Sequence, residues 1–142
     1  MVRTIETTTH PARLASQRSV AAVQAKDKAA WLDLWTEDGW VEDPVGVSFI
    51  DPTGKGWHGP QGRSDFWDNN IGTTDSIEFA LHDSFAAGNE VANVATITIT
   101  VGGGTVTRCE GVFVYRVDDA GKLVSLRAFW ETDRMMATLT QV

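Results

Sequence analysis

Tyrosine and cysteine each occur once in the 142 residues, and proline four times. A lone thiol, Cys109, cannot close an internal disulfide, so the fold must be held by its core. At this length roughly two-thirds of the unfolded surface is buried on folding, which is enough. Positive charge is scarce: twelve Lys and Arg stand against nineteen Asp and Glu, a net charge of -7. A nucleic-acid binder neutralises phosphates with a basic face, so no DNA or RNA partner is expected. No apolar run is long enough to cross a membrane, and the opening MVRTIETTTHPAR is polar where a secretory segment is apolar. The expected address is the cytoplasm, with no membrane partner. Internal repeats are missing, and apart from a Thr-rich start so are low-complexity stretches. This predicts a flexible tail over residues 1–9 and one domain over 10–142. What the chain has in excess is tryptophan. Six indoles beside the single Tyr are more than a small core needs, and they point to a cavity walled with rings.

Periodicity supplies the elements. A helix is predicted from near Pro11 through ARLASQRSVAAVQA, with Leu14, Val20 and Val23 as a modest apolar stripe. Asp27 reads as the N-cap of a second helix, DKAAWLDLW, on which Trp31, Leu32, Leu34 and Trp35 make a wide apolar face. After the acidic break TEDG, WVEDPVG reads as a short strand ending at Asp43, because Pro44 biases its predecessor to extended backbone. Residues 46–59, with Pro52, Gly54, Gly56 and Gly59, read as a loop or small ribbon. A third helix should run from near Pro60 to about Gly72, which would supply a left-handed cap. Beyond it the period falls to two. Ile77, Phe79 and Leu81 begin one strand, and Val91, Ala95, Ile97, Ile99 and Val101 mark the next. TVTRCEGVFVYRV and KLVSLRAFWE follow, and tight turns join all four into an antiparallel meander. The order is that of an α+β fold, with helices packed in the concave face of a curved sheet closing as a cone over a dry pocket.

Asp43 is the first candidate for chemistry. It lies between Trp40–Val41 and Pro44–Val45, where a carboxylate can project into a dry cavity. Burial there raises its pKa toward that of a base able to move a proton from carbon. The same position also suits an aspartate that only caps the Pro44 turn.

WVEDPVG, preceded by the two-helix hairpin and followed by AGKLVSLRAFW, resembles the Δ5-3-ketosteroid isomerase family of the nuclear-transport-factor-2-like, or SnoaL-like, superfamily. The resemblance runs in order from about Ser16 to Trp130, with an extra stretch near Val47 to Trp57. It implies the cone-shaped NTF2-like fold and no cofactor or metal. The motif's aspartate, here Asp43, is the family's general base, shuttling a proton between two steroid carbons. The family's oxyanion donors are not retained. Its helix-one tyrosine falls on Ser19, whose hydroxyl is too short, and its protonated aspartic acid falls on Phe113, which donates nothing. Losing one such donor costs about 3 to 4 kcal/mol of barrier, so an unreplaced pair leaves a slow isomerase. Tyr115, on the same strand face as Phe113, is the candidate substitute, and Trp35 and Trp130 offer indole N–H groups.

For the walls, Phe66 matches a pocket phenylalanine of the family, and Leu126, Ala128 and Trp130 match inward positions of the last strand. Trp31, Trp35, Val45 and Phe113 are expected to add to them, as is Trp67, with Trp40 and Trp57 flanking the mouth; packed core without a cavity is the other reading. His10, His58, His82 and Cys109 lack metal-ligand spacing. His58 is a candidate contact at the mouth, and Cys109 faces either the pocket or the packing. Glu110 has the parity of the outer face, where Arg108 and Arg127 are expected to form salt bridges and where the resemblance implies a homodimer. Three functions stay open: an isomerase of a steroid-like enolisable ketone, a non-catalytic binder of such hydrophobic ligands, and a polyketide cyclase, lyase or hydrolase of a bulky apolar substrate.

Overall fold

A computed structural model describes residues 9–141, so the tail predicted over 1–9 lies outside the described residues except for Thr9. The elements are α1 (Pro11–Gln24), α2 (Lys28–Leu32), β1 (Trp35–Glu42), β2 (Trp57–His58), α3 (Gly59–Asn70), β3 (Ser76–Ala87), β4 (Glu90–Val101), β5 (Thr105–Val117), β6 (Leu123–Phe129), α4 (Thr132–Met136) and β7 (Thr140–Gln141). The sheet runs β2-β1-β6-β5-β4-β3, with β7 pairing β5. β3 to β6 form the expected antiparallel meander, while β1 joins β6 in parallel. The result is an α+β, NTF2-like architecture: four helices on a curved, open, mixed sheet.

α1 packs through small side chains. Its buried face is Ala12, Ala15, Ser16, Ser19, Ala22 and Val23, at helical spacing, while Leu14 and Val20 are only partly buried. Side chains this short let the helix approach the sheet closely and bring serine hydroxyls to the core. Four residues, Arg13, Ser16, Ser84 and Asn93, close a ring beneath α1. Arg13 Nε donates to Ser84 Oγ at 2.9 Å, Ser84 Oγ to Asn93 Oδ1 at 2.7 Å, Asn93 Nδ2 to Ser16 Oγ at 3.1 Å, and Ser16 Oγ to the Arg13 carbonyl at 2.9 Å. The ring ties α1 to β3 and β4.

Several expectations change. The acidic TEDG lies inside β1, and Trp35 opens that strand rather than ending α2, which stops at Leu32 after its Asp27 cap. Gly72 is not a left-handed cap, and its N–H donates to the Trp67 carbonyl at 2.8 Å. The Lys26 ammonium ties the segment after α3 to the end of α1, donating to the Ile71 carbonyl at 2.5 Å and to the Thr74 carbonyl at 2.6 Å. Leu81 keeps the face of Phe79 but is 41% exposed at the rim of a cavity beside α1, and a register shift between Leu81 and Asp83 then turns Ser84 inward, where it is fully buried. α4 and β7 are additional elements beyond the meander, and Arg134 pins α4 to β5 through Glu110 at 2.9 Å. Arg127 pairs with Glu42 at 3.0 Å, whereas Arg108 makes no ion pair among the described residues and instead bonds Thr138 through its backbone. No helix among the described residues is long and apolar enough to cross a membrane.

Candidate functional site

Asp43 follows β1 directly, and the turn beyond it is tied to β6 by the Val45 N–H, which donates to the Ala128 carbonyl at 2.9 Å. Trp130 follows β6 and reaches back over β5. Gly111 makes room for it: a Cβ there would stand 2.4 Å from the Phe129 carbonyl oxygen and 2.9 Å from Trp130 Cβ. The Trp130 indole N–H donates to Asp43 Oδ1 at 2.5 Å. Burial pushes the Asp43 carboxyl from 3.8 up to about 6, and the Trp130 hydrogen bond works against that rise by favouring the ionised form. Asp43 therefore titrates close to neutrality. Among the described residues its second oxygen has no hydrogen-bond partner.

A second polar corner lies on α1 and β5. The Trp31 indole donates to Ser19 Oγ at 3.2 Å, and Ser19 lies near enough to the Tyr115 hydroxyl to favour its ionised form. An indole N–H only donates, so the Ser19 hydroxyl can pass its own proton on to the Tyr115 oxygen. That leaves the Tyr115 proton for another acceptor. Burial first, and then the negative charge of Asp43, raise the Tyr115 pKa, while the Ser19 contact opposes them. The phenol stays protonated, and the Asp43 charge acts on it.

Both corners open on one cavity of about 280 Å³. Asp43, Ser19, Trp31, Phe66, Phe113, Tyr115, Leu126 and Trp130 all border it. Trp35, Val45 and Ala128 do not. Trp35 packs edge-on against Trp31 at 5.3 Å beneath the Arg63 guanidinium, and Ala128 is fully buried in β6. Val45 lies on the outer side with Val112 and Phe129, because the turn after Asp43 is not extended and does not keep strand alternation. Of the six tryptophans only Trp31 and Trp130 border the cavity; Trp67 packs on Trp31, Trp57 on Phe66, and Trp40 on His58. His58 binds the Lys55 carbonyl at 2.6 Å and stays outside, and His82 bonds Thr96. Among the described residues no cluster of His, Cys, Asp or Glu is arranged to hold a metal ion.

Cys109 does border the cavity, and burial and then the Asp43 charge push the pKa of its thiol up, which keeps the thiol in its protonated form. Three contributors carried no helical or strand signal pointing to the site: Phe49 and Ile50 from the loop, and Met135 from α4. Asn69, Asn70, Thr73 and Thr74 make its rim polar. A second cavity of about 260 Å³ lies between α1 and β3–β4, sharing Phe79, Phe113 and Tyr115 with the first and bordered by the Arg13 ring.

The SnoaL-like domain family model matches residues 16–126. The chain belongs to the SnoaL-like family. No curated protein matches it significantly. This SnoaL-like chain is similar to a solved Δ5-3-ketosteroid isomerase from Mycobacterium sp., at 34% identity and a TM-score of 0.84, over 94% of this chain and 100% of that one. A Mycobacterium tuberculosis protein in complex with estradiol-17beta-hemisuccinate is 32% identical with a TM-score of 0.84, over 93% and 99%. A computationally designed 17-OHP binder is 31% identical with a TM-score of 0.84, over 93% and 98%. Its structural neighbours thus include a steroid isomerase and steroid binders.

Proposed function

We propose that this SnoaL-like protein isomerises a flat, apolar, enolisable ketone of steroid type, with Asp43 as the proton-shuttling base and no cofactor. The observation that carries this reading is a carboxylate titrating near 6 in an apolar cavity with one oxygen uncommitted. Such a base is ionised at neutral pH yet readily accepts a proton from the carbon next to a ketone. Tyr115 takes the part of the family's missing donors. When Asp43 takes the proton it loses its charge, and the field that opposes charge near Tyr115 disappears as negative charge forms on the ligand oxygen. The phenol then donates to that oxygen while the Ser19–Trp31 relay supports it. Trp130 holds the carboxylate in place, and Phe66, Phe113, Leu126 and Trp31 supply apolar wall.

The test is turnover of a 3-oxo-Δ5-steroid against pH. The reading requires kcat/KM to rise with pH through a midpoint near 6 and then level off, as the base form of Asp43 fills. A rate that falls across that range removes Asp43 as base. Saturable binding without turnover would leave the non-catalytic binder, a reading that the loss of both family donors favours. We place the protein in the cytoplasm as a homodimer joined through the outer sheet face, where Val112 and Phe129 are exposed at 36% and 44%. Sedimentation of Phe129→Glu against the unmodified chain tests that contact.

A further inference from the structure

Residues 47–56 stand at the cavity opening on a frame of their own hydrogen bonds. Asp51 is 6% exposed, and its carboxylate accepts from Thr53 Oγ1 at 2.9 Å, the Gly54 N–H at 3.2 Å and the Gly56 N–H at 2.8 Å. Ser48 Oγ accepts from the Ile50 and Asp51 N–H groups, and the Ser48 N–H donates to the Asp51 carbonyl. Bonds to an ionised carboxylate are the stronger kind, so the loop has one shape rather than many. It also re-enters tightly against β1. Gly56 has a φ of +81, and a Cβ on it would lie 2.8 Å from the Val41 carbonyl oxygen.

What this frame presents is apolar. Phe49 is 66% exposed and yet borders the cavity together with Ile50, and the neighbouring Val47 is 77% exposed. A phenyl ring held in water by a stiff loop contributes little to the free protein, and it contributes much once something covers it.

Resting on the ligand-binding reading above, we infer that the 47–56 loop is a preformed cover whose Phe49 packs on the part of a ligand that projects from the mouth. The site thereby selects multi-ring apolar ligands over ones short enough to lie wholly inside. Phe49 is the specificity-determining contact, and Asp51, away from the cavity, is the positioning residue that holds it.

Equilibrium dialysis with two probes tests this: the four-ring estradiol-17beta-hemisuccinate and the two-ring 2-naphthol. Phe49→Ala alters an exposed side chain, and thermal unfolding verifies that the fold is kept. Its expected effect is about a tenfold or greater loss of affinity for the four-ring probe and less than about twofold for 2-naphthol. Asp51→Asn should repeat that length-dependent pattern more weakly and, in any steroid turnover, raise KM more than it lowers kcat. Equal losses for both probes, or none for the longer one, overturn the inference. An unmodified protein that binds neither probe overturns it together with the binding reading. If Phe49→Ala discriminates as expected while Asp43→Asn leaves turnover intact, the cover stands and the catalytic assignment falls.

Discussion

Two sets of polar side chains flank Phe113 and Tyr115, and they differ in what they leave over. Beneath α1, each link of the Arg13–Ser84–Asn93–Ser16 ring hands its hydrogen bond to the next until the circle closes. In the cavity, among the described residues, the Asp43 carboxylate has one partner and an oxygen without one, and the Tyr115 hydroxyl retains a proton to donate. Buried polar groups that satisfy one another fix geometry, whereas those with unused capacity in an apolar setting await a ligand. The contrast separates structural polarity from chemical polarity within one small core.

Substitutions in the two sets should therefore fail differently. The largest effect belongs to Asp43→Asn, which keeps the Trp130 bond and removes the base: steroid turnover should fall about a thousandfold or more. The same change should strengthen the fold above neutrality. Because burial raises the Asp43 pKa, its contribution to stability is present below about 4 and is lost as pH rises through about 6. By pH 8 the ionised carboxylate costs about 3 kcal/mol relative to an unshifted one, so melting of Asp43→Asn should be higher there and match the parent at pH 4. Asn93→Ala acts on the other set. It deprives the Ser84 hydroxyl of its acceptor and Ser16 of a donor while both keep their Arg13 contacts, and chemical denaturation should register a loss of about 1 to 3 kcal/mol with turnover per folded molecule preserved. Tyr115→Phe should reduce kcat about a hundredfold, measured at saturating substrate, with stability changed by about 1 kcal/mol. The smallest effect is that of Trp130→Phe. Without the indole N–H, which favours the ionised form, the midpoint of the pH–rate profile should move upward by less than about one unit. If Asn93→Ala slowed the chemistry as severely as Tyr115→Phe, the division between the sets would dissolve.

The long strands, the α1 helix and the Asp27 cap could be read from the sequence because period and capping are local signals. Asp43 could be singled out for the same reason, since a carboxylate between apolar residues and a proline is visible in a seven-residue window. Val45 and Trp35 do not border the cavity: the turn after Asp43 sends Val45 to the outer side, and Trp35 belongs to β1 rather than to α2, so helical spacing does not set its direction. The alternation of Ile77, Phe79 and Leu81 holds up to Leu81, and the register shift that follows it turns Ser84 inward. Asn93 sat at an inward position of β4 in plain view, but its partners Ser16 and Ser84 come from distant parts of the chain. Phe49, Ile50 and Met135 reach the cavity from segments without a periodic pattern, and only tertiary packing reveals them.

Trp31 sits at the heart of the apolar core, 1% exposed and in contact with the rings of Trp35, Phe66 and Trp67. Its N–H also donates to Ser19, the serine that acts on the Tyr115 hydroxyl. A directed-evolution library screened only for heat resistance would repack this indole as freely as any other core ring. Each replacement that fits the space but carries no N–H would loosen Ser19, so clones selected for hardiness would drift in the surroundings of Tyr115 without a single change to Asp43, Trp130 or the turn between β1 and the cavity.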